Sequence, residues 1–379
     1  MQPITLEIAN EEHPLYERVK ALGIPANKTE HYRHFAIKPL LSKEYDITIP
    51  TVGTPIQGTK LIIENGVVKE YPNGVTLSFI DDFQADSTHY DALYFMSHVL
   101  CQNVINIQTK NDITFEIEHH FSDKNRFIPY RIAIQIEANT QVEVFESFHT
   151  KGSQESLLLY GVDVYIASES RLNWIRNQNR YLDEAAIVGS HHYHAAEQSS
   201  LDLHTFDLGS GNALHIYKID LDSYASTNAS HLLLATQEAH SGNVVYINHN
   251  QPHSKSIQES RTILKDGATG IFDGKILINH DAKYSKAKQN SKAILLSKNA
   301  HMYTKPQLEI YTDELEASHG SSIGELDEEV LFYICSRGIE LEEAKKMLVL
   351  AFASILIDTL DNAKYEEIIR MDFELAIKD

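Results

Sequence analysis

Asp266-Gly267-Ala268, Asn279-His280-Asp281-Ala282 and Ser297-Lys298-Asn299-Ala300 each place a polar turn just before an alanine. Each is followed by a polar stretch that ends in a short apolar strand: Ile276-Leu277-Ile278, Ile294-Leu295-Leu296 and Leu308-Glu309-Ile310. A unit repeated on this plan cannot bury its own apolar face, and stacked neighbours supply the core. Alternation of period 2 extends from about Val104 to about Ile310, in Thr114-Phe115-Glu116-Ile117-Glu118, Ile132-Ala133-Ile134-Gln135-Ile136, Val142-Glu143-Val144-Phe145 and Asp163-Val164-Tyr165-Ile166. That period predicts strands. Turn clusters recur between them, among them Lys151-Gly152-Ser153, Gly209-Ser210-Gly211 and Ser241-Gly242-Asn243. Sandwiches, barrels and solenoids all share such a rhythm; the common plan of the last units favours a solenoid.

Helical spacing flanks this region. Leu15, Val19 and Leu22 recur at i, i+4 and i+7 before Gly23-Ile24-Pro25, and Ala92 to Leu100 is a second apolar stretch. After Gly324, Asp327, Glu328 and Glu329 place acid in a predicted first turn, and Gly338 follows as a stop. The next helix has Ala344, Met347, Leu348, Ala351, Phe352, Ile355 and Leu356 on one face, with Val349 and Leu350 widening it. An arc that broad leaves apolar surface for a partner.

Composition narrows the function classes. The 33 basic and 53 acidic residues give a net charge of −20, which opposes nucleic acid and anionic membranes. No apolar run approaches the ~20 residues that span a bilayer, and Met1 to Asn10 has no signal-peptide pattern, so a cytoplasmic protein is expected. Two cysteines far apart, Cys101 and Cys335, exclude a disulfide framework and read as small buried hydrophobes. A conventional cluster takes about four thiolates, more than this chain holds.

Several motifs have a plain reading. Around Gly274-Lys275 a phosphate-binding loop would need glycine at Thr269 and a hydroxyl at Ile276, so this is a strand with a turn. Gly209-Ser210-Gly211 has Leu214 where a dinucleotide fingerprint needs its third glycine. His192 and His194 share a strand face and could share a metal ion, but without a nearby acid or thiol in sequence a surface strand is favoured. His249 and His253 flank the turn Asn250-Gln251-Pro252 and read as corner residues. His319, in Ser318-His319-Gly320-Ser321-Ser322, is predicted at a strand-to-helix junction, where a loop side chain faces outward.

Pro306-Gln307-Leu308-Glu309-Ile310-Tyr311-Thr312-Asp313-Glu314-Leu315-Glu316-Ala317-Ser318-His319-Gly320, continuing through Ser321-Ser322-Ile323-Gly324-Glu325-Leu326-Asp327 to Leu331-Phe332-Tyr333 and Ser336-Arg337-Gly338-Ile339, resembles the C-terminal signature of the SufB/SufD family of iron–sulfur cluster assembly proteins. Phe272-Asp273-Gly274-Lys275-Ile276, Gln289, Leu295-Leu296-Ser297 and Lys28-Thr29-Glu30-His31-Tyr32 are similar to further family segments. Ala300 stands where SufB-type members carry a functional cysteine, so the resemblance favours the SufD type. Many SufD-type chains have cysteine at the position of Ala317, which is a departure here.

The resemblance implies a right-handed parallel β-helix over residues 101–322, between an N-terminal helical region over 1–100 and a C-terminal helical domain over 323–379. It implies a non-catalytic scaffold that pairs with SufB through the β-helices and docks the SufC ATPase through the C-terminal helices, with Phe332, Tyr333, Arg337, Met347 and Leu350 as contact residues. His319 would be an interface ligand for iron or a nascent cluster shared with SufB, with Glu309 and Glu316 as secondary candidates. The other readings are a homodimeric paralogue acting without SufB and a β-helix carbohydrate-active enzyme.

Overall fold

The computed structural model describes residues 3–378 apart from 6–10, 26–28, 48, 82, 102, 123, 150–153, 181–184 and the side chain of Arg180. Lys28 and the turn Lys151-Gly152-Ser153 lie outside the described residues. From Val104 the chain alternates between two sheets, so that each strand pairs with the next but one. Ala213–Leu221 lies between Ala186–Ala195 and His240–His249 in one sheet, and Ser226–Ala235 between Ser200–Gly209 and Lys255–Leu264 in the other. All of these pairings are parallel, and the architecture is a parallel β-solenoid.

In-register stacking explains why a period-2 sequence makes this fold. Val164, Tyr193, Ile219, Ile247, Ile276 and Leu308 occupy one register column, each about 4.8 Å from the next. They belong to, or pack against, a single apolar core between the sheets. At the turns Ala268, Ala282 and Ala300 are buried, small enough for the chain to fold tightly over them. One corner repeats a left-handed backbone on non-glycine residues: Asn139, Glu169, Gln198, Tyr224, His253 and Tyr284 all have φ between 59° and 63°. His253 stacks on Tyr224 and Tyr284 there, with ring centroids 4.6 and 5.2 Å away.

Two predicted turns are strand interiors instead. Ser241-Gly242-Asn243 lies within His240–His249, and the turn falls just before it. Gly242 is required by close approach: a Cβ there would lie 2.0 Å from the Ile271 carbonyl oxygen. Gly274 likewise lies inside Thr269–Ile278.

The N-terminal 100 residues mix helices with strands. Tyr16–Leu22, Ile37–Ser42 and Ala92–Leu100 are helical, whereas Ile56–Gly58, Lys60–Glu64, Val67–Pro72 and Val75–Ile80 are extended. The alternation in Val75-Thr76-Leu77-Ser78-Phe79-Ile80 specifies a strand, which pairs antiparallel with Val104–Thr109. Lys60–Glu64 joins Ile113–His120 in the second sheet. Together they cover the first edges of the solenoid.

The outer faces are covered too. Ala92–Leu100, capped by the Asp91 carboxylate and buried at every residue, packs on the first sheet over Leu159, Val188, Leu214 and Ile216. The helices Leu341–Ile357 and Ala363–Ala376 cover the second sheet, over Phe145, Ile175, Phe206, Leu232 and Ile263. The buried stripe of Leu341–Ile357 is Ala344, Val349, Ala353, Leu356 and Ile357, rotated from the predicted face; Met347, Ala351 and Ile355 point outward. Among the described residues no helix is long and apolar enough to cross a membrane.

Candidate functional site: the open end of the solenoid

Both sheets stop at Ile310 and Gly324. His301–Ile310 ends the first sheet and Leu315–Gly324 the second, each with a strand neighbour on one side only among the described residues. His319 lies in the second of these strands, not in a loop at the helix junction, because the ladder with Ser285–Leu295 continues through Gly324. Its register partner is Gln289, whose own partner is Gln258. Both glutamines are buried on the inward face, and Gln289 Nε2 donates to Gln258 Oε1 at 2.6 Å. Register neighbours in a parallel ladder share a face, so His319 is the last rung of an inward polar column, exposed because nothing stacks on it.

Small hydroxyls surround that rung. Thr304 Oγ1 donates to Ser291 Oγ at 3.1 Å, and Ser321 Oγ to Thr304 Oγ1 at 3.5 Å. Behind them Gln289 Oε1 has no hydrogen-bond partner among the described residues. The Gln289 amide fits because residue 274 is glycine: a Cβ there would lie 2.4 Å from Gln289 Nε2. Ala317 shares the face of His319, two residues earlier on the strand.

The secondary candidates are not brought to this face. Alternation puts Glu309 and Glu316 on the outer side of their strands, where Lys275 and Tyr311 hold Glu309 and Lys286 binds Glu316 at 2.7 Å. The Lys275 and Tyr311 hydrogen bonds draw the Glu309 carboxyl below its usual range. Neither residue orients His319 in this arrangement.

The other histidines divide by face. His191 is buried in the core, 3.2 Å from His215, while His192 and His194 face outward. The acids that sequence proximity did not offer arrive from the next rung: Asp220 accepts from His192 at 2.8 Å and Asp222 pairs with His194 at 2.9 Å. Asp86 completes a cluster with His192 and Asp220, but the Lys218 ammonium lies 2.7 Å from both carboxylates. His249 is a core residue bonded to Ser254 and Ser256, and burial pushes its imidazole down to about 4.

Both cysteines are half-buried; desolvation pushes the Cys101 thiol up to about 12, and Cys335 sits on a helix with no buried residue. On that helix, Glu328–Ser336, Phe332 is 77% and Tyr333 57% exposed; Arg337 just beyond it and Met347 are also exposed, and Leu350 is half-buried. The glutamine column escaped the sequence reading. Its signal was one glutamine on each of two strands, Gln258 and Gln289, among small inward side chains, visible only once register is known.

The chain can be compared with known proteins on this footing. The SufBD core domain of the SUF system for FeS cluster assembly matches residues 119–352, a span longer than half the chain. The iron–sulfur cluster assembly protein SufD of Escherichia coli is 24% identical over 368 residues, covering 89% of this chain and 86% of the relative. A SufBD family protein of Synechocystis is 26% identical over 62% of this chain and 54% of its own length. One from Pyrococcus horikoshii is 36% identical over 123 residues, 32% of this chain and 27% of its own length. The matched span contains all but the first strands of the solenoid, the open end and most of the first two C-terminal helices, and the chain belongs to the SufB/SufD family as a SufD-like member with a role in iron–sulfur cluster assembly.

Proposed function

We propose that this chain is a non-catalytic scaffold that closes its open end against a SufB-type solenoid, with His319 contributing a ligand for iron or a nascent cluster at the junction. The carrying observation is the pair of terminal strands, each with one open edge, and His319 on the inward face of the last rung. A neutral imidazole ligates iron beside thiolates in mixed-ligand clusters, and the thiolates would come from the partner, since Ala300 and Ala317 stand at the two cysteine positions of the family. The proposed units are 1–100, 101–322 and 323–379, the last docking an ATPase of the SufC type through Phe332, Tyr333, Arg337, Met347 and Leu350. ATP hydrolysis then resides in that partner, and its closure would move the C-terminal helices and shift the solenoid junction.

The test is co-expression of the tagged chain with SufB and SufC from one genome, followed by mass determination and ATPase assay. A three-component complex with ATPase activity above that of free SufC supports the scaffold. A homodimer that ignores both partners supports the paralogue reading, in which two copies meet through the same open ends. His319→Gln should leave the complex intact and lower its iron and cluster content; normal iron loading of the variant complex would remove His319 from the site.

A further inference from the structure

Near the start of the second sheet, on its outer face, three metal-binding side chains converge far from the open end. Glu118 and His120 are two residues apart on one face of Ile113–His120, and His149 is the in-register neighbour of His120 on Gln141–His149. One donor atom from each lies within 4.8 Å of the other two. The His120 and His149 rings are 4.6 Å apart, and His120 Nε2 is 3.0 Å from Glu118 Oε2.

We propose that Glu118, His120 and His149 bind one divalent first-row transition-metal ion, such as iron(II), cobalt(II) or zinc(II), on this outer face. Two imidazole nitrogens and one carboxylate form a donor set that suits these ions and leaves positions for water. Magnesium and calcium prefer oxygen ligands and are excluded by the same chemistry. The strands fix the three Cα positions, and donor atoms must close to about 3 Å apart around an ion with ~2.1 Å bonds, a rotamer adjustment open to the solvent-accessible rings of His120 and His149. His120 and His149 are both solvent-accessible at the ends of their strands.

The surrounding charges prepare the site. Lys60 Nζ bonds Glu118 Oε1 at 2.7 Å and also Glu116 at 2.7 Å, while Lys364 reaches the other oxygen of Glu116. Lys60 therefore holds the carboxylate by the oxygen turned away from His120, leaving Oε2 directed at the imidazoles. The Asp86–His192–Asp220 cluster differs at this point, because Lys218 already sits between its carboxylates.

Cobalt(II) reports both stoichiometry and geometry through its visible absorption, so the full chain would be titrated with cobalt(II) alone. The expected result is saturation at the site with binding at least tenfold weaker in His120→Ala and in His149→Ala, and unchanged in a His192→Ala/His194→Ala control. Zinc(II) should displace the cobalt and excess magnesium should not. Equal binding by wild type and both single variants, with native circular dichroism, would overturn the site, as would no saturable binding by wild type up to millimolar cobalt(II). His319 takes no part in this measurement, so its outcome is independent of the scaffold reading.

Discussion

Gly274→Ala probes the column beneath the open end. The added methyl would lie 2.4 Å from Gln289 Nε2 and 2.9 Å from two atoms of the Phe272 ring. Ordinarily a flexible amide yields to such a clash at little cost, but Gln289 is 1% exposed and donates to Gln258 at 2.6 Å. Moving it breaks that bond in a site without solvent. Overpacking a filled core costs ~1–3 kcal/mol, and leaving a buried amide unsatisfied costs another ~1–3 kcal/mol, so the loss should be about 2–6 kcal/mol. Urea unfolding gives the total, and hydrogen exchange of Thr269–Ile278 locates it, since a solenoid opens by neighbouring rungs. In a Gln289→Ala background the clash with the amide is gone and only the Phe272 ring must yield, so the double-mutant cycle should show coupling above about 1 kcal/mol. A Gly274→Ala chain within about 0.5 kcal/mol of wild type, or one equally destabilised in both backgrounds, would refute the argument that glycine is there for the amide.

Asp163→Asn should cost ~3–5 kcal/mol, because it strips the partner from Arg131, which is fully buried and bonded to Asp163 at 2.6 Å. Burial opposes ionisation of Asp163, but Arg131 and His98 outweigh it and hold the carboxyl far below its usual range. Its contribution is thus present above the unfolded value near ~3.9 and lost as pH falls further; urea midpoints of wild type and variant should converge only below about pH 4. His249 has the opposite charge type and an acid-side effect at milder pH. Its folded value of about 4 against 6.5 means that the unfolded chain binds a proton the native one refuses, so stability falls by about 1.4 kcal/mol per pH unit between those values. His249→Asn should flatten the slope between pH 7 and 5, and an unchanged slope would show that the imidazole is protonated in place. Phe332→Ser should leave the melting temperature of the free chain unchanged, since the ring is 77% exposed, while weakening SufC capture in a pull-down; undiminished capture would move the docking surface elsewhere.

The strand rhythm was legible because inward apolar positions repeat at period 2 and tight corners demand small residues such as Ala268 and Ala282. Glycines misled it. Gly242 and Gly274 resemble turn residues in sequence, but they answer to the Ile271 carbonyl and the Gln289 amide, neighbours contributed by other rungs. The acids beside His192 and His194 were hidden for the same reason: Asp220 and Asp222 are 28 residues away and adjacent only through register. The pattern around His319 marked the region, whereas its inward face follows from the pairing with Gln289. That pairing also separates it from the secondary candidates Glu309 and Glu316, which face outward. Inward charges such as Arg176, paired with Asp207 at 2.7 Å, break the apolar alternation that would have shown their strands most clearly.

The open end is exposed in a controlled way. The first rung is covered by Lys60–Glu64 and Val75–Ile80, and the outer faces by helices, yet His301–Ile310 and Leu315–Gly324 each present a ten-residue edge. Such an edge invites indiscriminate strand addition unless its sequence resists it. Pro306, which has no N–H, sits in the middle of the first edge, a position tolerated only on an edge strand. Lys305 is tied to Glu30, and Tyr303 stacks on His34 with centroids 3.5 Å apart, so the segment 30–34 straps the outer face of the same strand. A partner of the proposed kind would have to match an edge interrupted by a proline and strapped on its outer face, while leaving the inward His319 room for the proposed ligand. These requirements are hard for an arbitrary strand to meet and natural for a second solenoid whose last rung has a complementary register, which is why the family relationship and the geometry of the final two strands support the same kind of partner.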